Sequence, residues 1–137
     1  MKEIRLLLTL TAKSGLLKED RYFINSPYEV SNIMKLTLET QRLILRPFKI
    51  EDAEAMFSGW ANDPEVTKYL TWNTHKNLEE TKVIINQWIK EYEKPERLNF
   101  AIVLKSQDKL IGGIDVVGYL NGVGGIPVIG YNLSRSF

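Results

Sequence analysis

Between residues 38 and 133 the apolar positions of this chain follow two periods, and each change of period marks an element. In Gln41-Arg42-Leu43-Ile44-Leu45-Arg46-Pro47, arginines at 42 and 46 alternate with leucines at 43 and 45, the period of two of a strand with one face on a core. The strand is expected over Leu38 to Pro47, and Pro47 ends it or places it at an edge. From Lys49 to Trp60 the period lengthens: Ala53, Met56, Phe57 and Trp60 recur at i, i+3, i+4 and i+7, the buried face of a helix. Glu51, Asp52 and Glu54 fall in its first turn, where the helix dipole favours carboxylates, and read as capping and solvated groups. Lys49 stands where a threonine would be the more natural cap.

Asn62-Asp63-Pro64-Glu65 restarts the helical pattern, with Asp63 able to cap, Pro64 suited to the first helical position, and Val66, Tyr69 and Leu70 forming a short apolar face. A loop follows, Thr71-Trp72-Asn73-Thr74-His75. Asn77 and Glu80 then stand at capping-box spacing before the strongest helix, whose buried stripe is Leu78, Ile85, Trp88, Ile89 and Tyr92, with Pro95 as its stop. From Asn99 the period is two again: Phe100, Ile102 and Leu104 alternate with Ala101 and Val103. Ser106 to Lys109 makes a turn, Leu110 to Val117 returns, and Asn121-Gly122 with Gly124-Gly125 turns the chain into Val128 to Leu133. Ile129-Gly130-Tyr131-Asn132-Leu133-Ser134 has the composition of a buried strand that something approaches closely. The order of strand, two helices and three antiparallel strands is α+β.

Residues 1–33 read differently. Leu6-Leu7-Leu8-Thr9-Leu10 follows a lysine and an arginine, but the apolar run is short, Glu3 lies in the charged region and Lys13 breaks it, so it serves neither as a targeting segment nor as an anchor. Lys18-Glu19-Asp20-Arg21 and Asn25-Ser26-Pro27 are charged linker and turn. Met34 stands just before the first organised strand, and Glu29-Val30 could be encoded by a purine-rich ribosome-binding stretch. Residues 1–33 are therefore expected to be an upstream extension outside the fold, and 34–137 the domain.

A chain of 137 residues accommodates one domain with a real core. With a net charge of +1 and no long basic run, neither nucleic acid nor a membrane surface is an expected partner. There is no cysteine and only one histidine, His75, which removes disulfides, thiolate nucleophiles and the usual zinc sites, and makes any Ser/His/Asp triad depend on one loop residue. The absence of cysteine fits a cytoplasmic location.

Five short motifs in order carry a resemblance: Leu38 to Pro47, the Glu51-Asp52-Ala53 helix start, Asn62-Asp63-Pro64-Glu65-Val66 with Tyr69-Leu70, Ile111-Gly112-Gly113-Ile114, and Ile129-Gly130-Tyr131-Asn132-Leu133. From about Met34 to Phe137 the chain resembles the GNAT superfamily of N-acetyltransferases, in the branch of the RimJ/RimL-type enzymes that acetylate ribosomal-protein N-termini. The resemblance implies acetyl transfer from acetyl-CoA, as cosubstrate, to an acceptor amine, either a protein N-terminus or a small molecule. It implies that the strand Val128 to Leu133 pairs with the pantetheine arm, that Leu133 and Ser134 make backbone contacts to the cofactor, and that Trp72 and His75 line the acceptor cleft. A group must take the proton of the amine. Tyr131, His75, Asp115 and the Glu51/Asp52 pair are available, although His75 also reads as a solvent-facing loop residue and Tyr131 as a packed strand residue.

The resemblance has a notable departure. The family's glycine-rich pyrophosphate loop would begin around Ser134 to Phe137, so its glycines, the next helix and the splayed fifth strand are not in this sequence. The chain looks like the front part of an acetyltransferase, with an exposed edge at Val128 to Leu133. Low stability, self-association or dependence on a C-terminal half, and weak acetyl-CoA affinity, are the expectations. The alternative is a noncatalytic interaction module whose open edge accepts another chain by β-augmentation.

Overall fold

The most uniformly apolar strand lies in the middle of the sheet. The computed structural model describes residues 37–93, 98–122 and 126–137. Five antiparallel strands, β1 (Leu38–Glu39), β2 (Leu43–Arg46), β3 (Asn99–Leu104), β4 (Lys109–Leu120) and β5 (Ile126–Leu133), follow one another in sequence order. Every residue of β3 from Asn99 to Val103 is buried, because helices cover one face of the sheet and a second apolar cluster forms on the other. The expected extension 1–33 and start at Met34, the stop at Pro95 and the Gly124-Gly125 half of the last turn lie outside the described residues.

Two strand expectations are corrected. The segment Leu38 to Pro47 is two strands, broken where the Thr40 hydroxyl accepts from the backbone N–H groups of Arg42 at 3.2 Å and Leu43 at 2.9 Å. A threonine that captures nearby backbone donors competes with the ladder and turns the chain. The second correction is to β5, whose first four residues are all exposed rather than buried. It pairs only with β4 and forms the sheet edge among the described residues. What approaches Gly130 is Val117 of β4, whose Cγ1 would lie 2.6 Å from an added Cβ. The turn into β5 begins at Asn121 and Gly122, with φ of 65° and 82°, the left-handed pair that suits a tight hairpin.

Three helical elements cover the first face. We label α1 the continuous run of 3-10 helix (Ile50–Asp52), α-helix (Ala53–Met56) and π-helix (Phe57–Ala61), α2 the single turn Pro64–Thr67, and α3 the helix Leu78–Glu91. Ala53, Met56, Trp60 and Ala61 of α1 pack with Ile85 of α3 and with Ala101, Val103 and Leu110 of the sheet. The π turn adds a residue to the last turn of α1, so adjacent Trp60 and Ala61 are both buried. Asp63 and Asn77 cap as expected, accepting from Glu65 N at 2.9 Å and Glu80 N at 3.0 Å. Glu80 reaches back to Lys76 N rather than to the cap residue itself.

Two polar side chains tie the layers together. The Tyr92 hydroxyl, at the end of α3, accepts from Phe48 N at 2.8 Å and donates to Asn99 O at 2.9 Å, joining the end of β2 to the start of β3. Asp52 is not the solvated carboxylate that the sequence implied. It is 5% exposed, takes a two-pronged bond from the Arg46 guanidinium at 2.7 and 2.8 Å, and accepts from Lys49 N at 2.9 Å. Arg46 is drawn from the strand into this pair, and the third-position carboxylate caps α1 where Lys49 has no acceptor to offer.

Asp52→Ala would strand a half-buried guanidinium and a backbone N–H together. Arg46 keeps some access to water, so the loss should be about 2 kcal/mol, below that of a fully buried pair. Urea unfolding of the two proteins measures it. A difference within about 0.5 kcal/mol, the ordinary surface range, would contradict this role.

Candidate functional site

The only histidine is held from three directions. Its backbone N–H donates to Ala61 O, the last residue of α1, at 2.8 Å. Its Nδ1 lies 2.8 Å from Thr81 Oγ1 on α3, and its ring is 4.9 Å from that of Trp72, tilted by 40°. One residue earlier, Thr74 Oγ1 bonds Thr67 Oγ1 at the end of α2. The loop is thus fixed to all three helices, and His75, at 9% exposure, is a buried side chain rather than the solvent-facing one its loop position implied. Thr81 is the residue that the sequence reading missed. It is 0% exposed and sits on the stripe of Leu78 and Ile85, so its phase was visible, but the apolar pattern passes over a threonine whose partner is a loop histidine.

Trp72, Asn73, His75, Glu79, Val83 and Ile84 are among the residues that line an open groove of about 460 Å³ between this loop and the first turns of α3. Trp72, Val83 and Ile84 make its wall apolar, and Glu79 and Glu80 place carboxylates at its rim. Glu79 pairs with Lys82 at 2.7 Å. Nδ1 is engaged by Thr81, and no hydrogen bond to Nε2 occurs among the described residues; His75 is one of the residues that line the groove. Burial lowers the pKa of His75 below 6.5, and nearby Glu80 opposes the shift. The ring is therefore held neutral at physiological pH, the state that accepts a proton.

The second feature is the free edge of β5. Ser134 N donates to Ile111 O at 2.8 Å, and the register pairs Leu133 with Gly112 and Asn132 with Gly113. Backbone groups of an antiparallel strand alternate in direction, so those of Ser134, Asn132 and Gly130 face β4, and those of Leu133, Tyr131 and Ile129 face the open edge. Of the two backbone positions expected to meet a cofactor, Leu133 has its N–H aimed outward, and that of Ser134 is already engaged.

The residues that follow β5 reach the corner between α1 and α2. Ser134 lies against the last turn of α1, its Cβ 3.9 Å from where a side chain on Gly59 would begin, and Arg135 Nε bonds Asp63 Oδ2 at 2.6 Å. Two buried side-chain atoms on these elements, Trp60 Nε1 and Asn132 Oδ1, have no hydrogen-bond partner, a condition that natural cores seldom leave without a use. Tyr131 is not brought to the groove. Its cross-strand partner Ile114 belongs to the cluster with no helical member, so its side chain lies on the sheet face away from the helices, and at 43% exposure it is not the packed residue expected. Of the other proton acceptors considered, Asp52 is committed to Arg46, and Glu51 is exposed on α1. No group of three or more metal-ligating side chains occurs among the described residues, and none of their helices is long and apolar enough to cross a membrane.

The family model of the acetyltransferase (GNAT) domain matches residues 42–137. The chain belongs to the GNAT acetyltransferase family. This GNAT domain is 35% identical over 103 residues to the "Uncharacterized N-acetyltransferase p20" of Bacillus licheniformis, an alignment covering 73% of this chain and 55% of the relative. The chain thus spans about half the length of the curated relatives it matches. Among solved structures, a GNAT-family acetyltransferase from Bacillus anthracis superposes with a TM-score of 0.59 at 22% identity, over 74% of this chain and 55% of the other. The ribosomal-protein-S5-alanine acetyltransferase of Vibrio fischeri superposes with a TM-score of 0.56 at 17% identity, over 74% and 57%. These likenesses agree with the five-stranded α+β GNAT fold.

The lowered pKa of His75 gives a signed prediction. An unfolded histidine binds protons below about pH 6.5 and the folded one does so only at lower pH, so its contribution to stability is full above that pH and is lost as pH falls. The stability difference between the wild type and His75→Asn should therefore shrink between about pH 7.5 and pH 5. With a single histidine, NMR titration of its ring protons reads the pKa directly, and a value at or above 6.5 would contradict the burial argument.

Proposed function

We propose that this GNAT domain supplies the thioester edge and the acceptor groove of an acetyl-CoA-dependent N-acetyltransferase of the RimJ/RimL type, with a protein N-terminus or a small amine as acceptor. The observation that carries the reading is a groove lined by a neutral histidine, in a chain whose edge strand turns the Leu133 and Tyr131 amides outward. The amine attacks the thioester carbonyl carbon, a C–N bond forms, the C–S bond breaks and coenzyme A leaves as the thiolate, which takes up one of the two protons that the ammonium loses in the reaction. Negative charge gathers on the carbonyl oxygen as this happens. Backbone N–H groups fixed in advance stabilise it more in the transition state than in the ground state.

In the tautomer whose Nδ1–H donates to Thr81 Oγ1, His75 Nε2 is the basic nitrogen and takes a proton that the amine gives up, directly or through water. The bond from Nδ1 to Thr81 fixes the ring plane, and Trp72 covers its face. The apolar wall and carboxylate rim suit an acceptor that carries a cationic amine on an apolar stem.

Calorimetric titration of the folded chain with acetyl-CoA, beside plain coenzyme A, tests the cofactor half of the reading. Saturable binding is expected, and no detectable heat would favour the noncatalytic module. Acetylation of peptides with free and blocked N-termini, followed by mass spectrometry, tests the acceptor half. His75→Asn should lower kcat by about a hundredfold or more with acetyl-CoA binding unchanged, and Trp72→Ala should act mainly on the acceptor KM. A His75→Asn enzyme with wild-type kcat would remove the histidine from the mechanism.

A further inference from the structure

The charged residues that line the groove are both carboxylates, Glu79 and Glu80, in the first turn of α3. Beside them the wall is apolar. Val83 is 65% exposed and stands four residues after Glu79, so the two share one face of α3, ~6 Å apart along its axis. Trp72 and Ile84 extend that apolar surface. His75 adds a polar side chain that is 9% exposed, with no hydrogen bond to Nε2 among the described residues. A carboxylate, an apolar step one turn on and a buried imidazole are together the complement of an ammonium group on an apolar stem.

The two carboxylates are not equivalent. Glu80 accepts from Lys76 N at 2.8 Å, a bond at the helix start that commits it to the backbone. The bond to Glu79 among the described residues comes from Lys82 Nζ at 2.7 Å, three residues on, and the Glu79 side chain is 75% exposed. An exposed pair of this kind contributes little, so a second ammonium that also covers apolar surface exchanges with Lys82 at small cost.

On the reading of this groove as the acceptor site, we propose that Glu79 is its specificity-determining residue, selecting a primary ammonium on an unbranched apolar stem, and that Lys82 is the resident competitor. The bound ammonium takes the place of Lys82 on Glu79, and the stem lies along Val83 and Trp72. Lys82 is itself an ammonium on a flexible carbon stem, so Glu79 already holds the chemistry of the ligand. Glu79 captures the charged form of the amine, and transfer follows from the form that has lost a proton.

NMR titration of the full chain without acetyl-CoA reads this through the ring protons of its single histidine. The probes are n-pentylamine, charged at neutral pH, and 1-pentanol, which has the same stem without the charge. Pentylamine should shift the His75 signals saturably, and pentanol only at several-fold higher concentration. Glu79→Gln should weaken pentylamine about three- to fivefold and leave pentanol unchanged, and Lys82→Gln should strengthen pentylamine about twofold. Glu54→Gln removes an exposed carboxylate of α1 outside the groove and should change neither, which separates a local pair from the general field of the protein. Pentylamine that binds no better than pentanol, or a Glu79→Gln chain with wild-type affinity for it, would overturn the proposal. Binding through Glu79 in a chain that never acetylates the amine would uphold this recognition and count against transfer alone.

Discussion

The register between β4 and β5 is the constraint on which the site depends. A side chain on Gly112 would run into the Asn132 carbonyl, and one on Gly113 would meet the Phe48 ring at 3.2 Å, so only this glycine pair lets the two strands and the first helical layer close together. Once the pair is closed, the bond from Ser134 N to Ile111 O fixes the phase of the whole strand. A slip of one residue would turn the amides of Leu133 and Tyr131 inward and bring those of Ser134 and Asn132 to the edge. The chemistry proposed for this chain depends on that phase more than on any single side chain of β5.

The second requirement is a rigid loop, and the helices provide it. The π turn closes α1 with Ala61 O available to His75 N, Asp63 both caps α2 and receives Arg135, and Thr81 brings the imidazole to α3. Each bond is modest, but together they leave the loop little freedom. A side chain fixed in this way loses less entropy when it meets a substrate, which is how positioning residues contribute to rate.

Much of this was legible from the sequence, and the failures have physical causes. The helix starts at Asp63 and Asn77, the stripe of α3 and the hairpin follow from local rules of capping and period, which tertiary contacts did not override. Tyr131 and His75 were both misplaced in depth, in opposite directions. A strand residue is packed only if something covers its face, and nothing local says that β5 is an edge. A loop residue is exposed only if no helix reaches for it, and Thr81 does. Asp52 and Arg46 were each assigned to solvent by their own element, because a charge pair formed across two elements is invisible to either period alone. For the site, Trp72, His75 and Leu133 were proposed through resemblance to a family, whereas the engagement of Ser134 N needed the register.

The direction of five amides matters most, and amide hydrogen exchange read residue by residue by NMR, with and without acetyl-CoA, tests it. In the free chain Ser134 and Asn132 should be protected by β4, and Leu133, Tyr131 and Ile129 should exchange fast at the open edge. Adding acetyl-CoA should slow Leu133 and Tyr131 selectively. Protection of those two in the monomeric free chain, or saturating acetyl-CoA that leaves both as fast as before, would contradict the claim that this edge is built to hold the thioester.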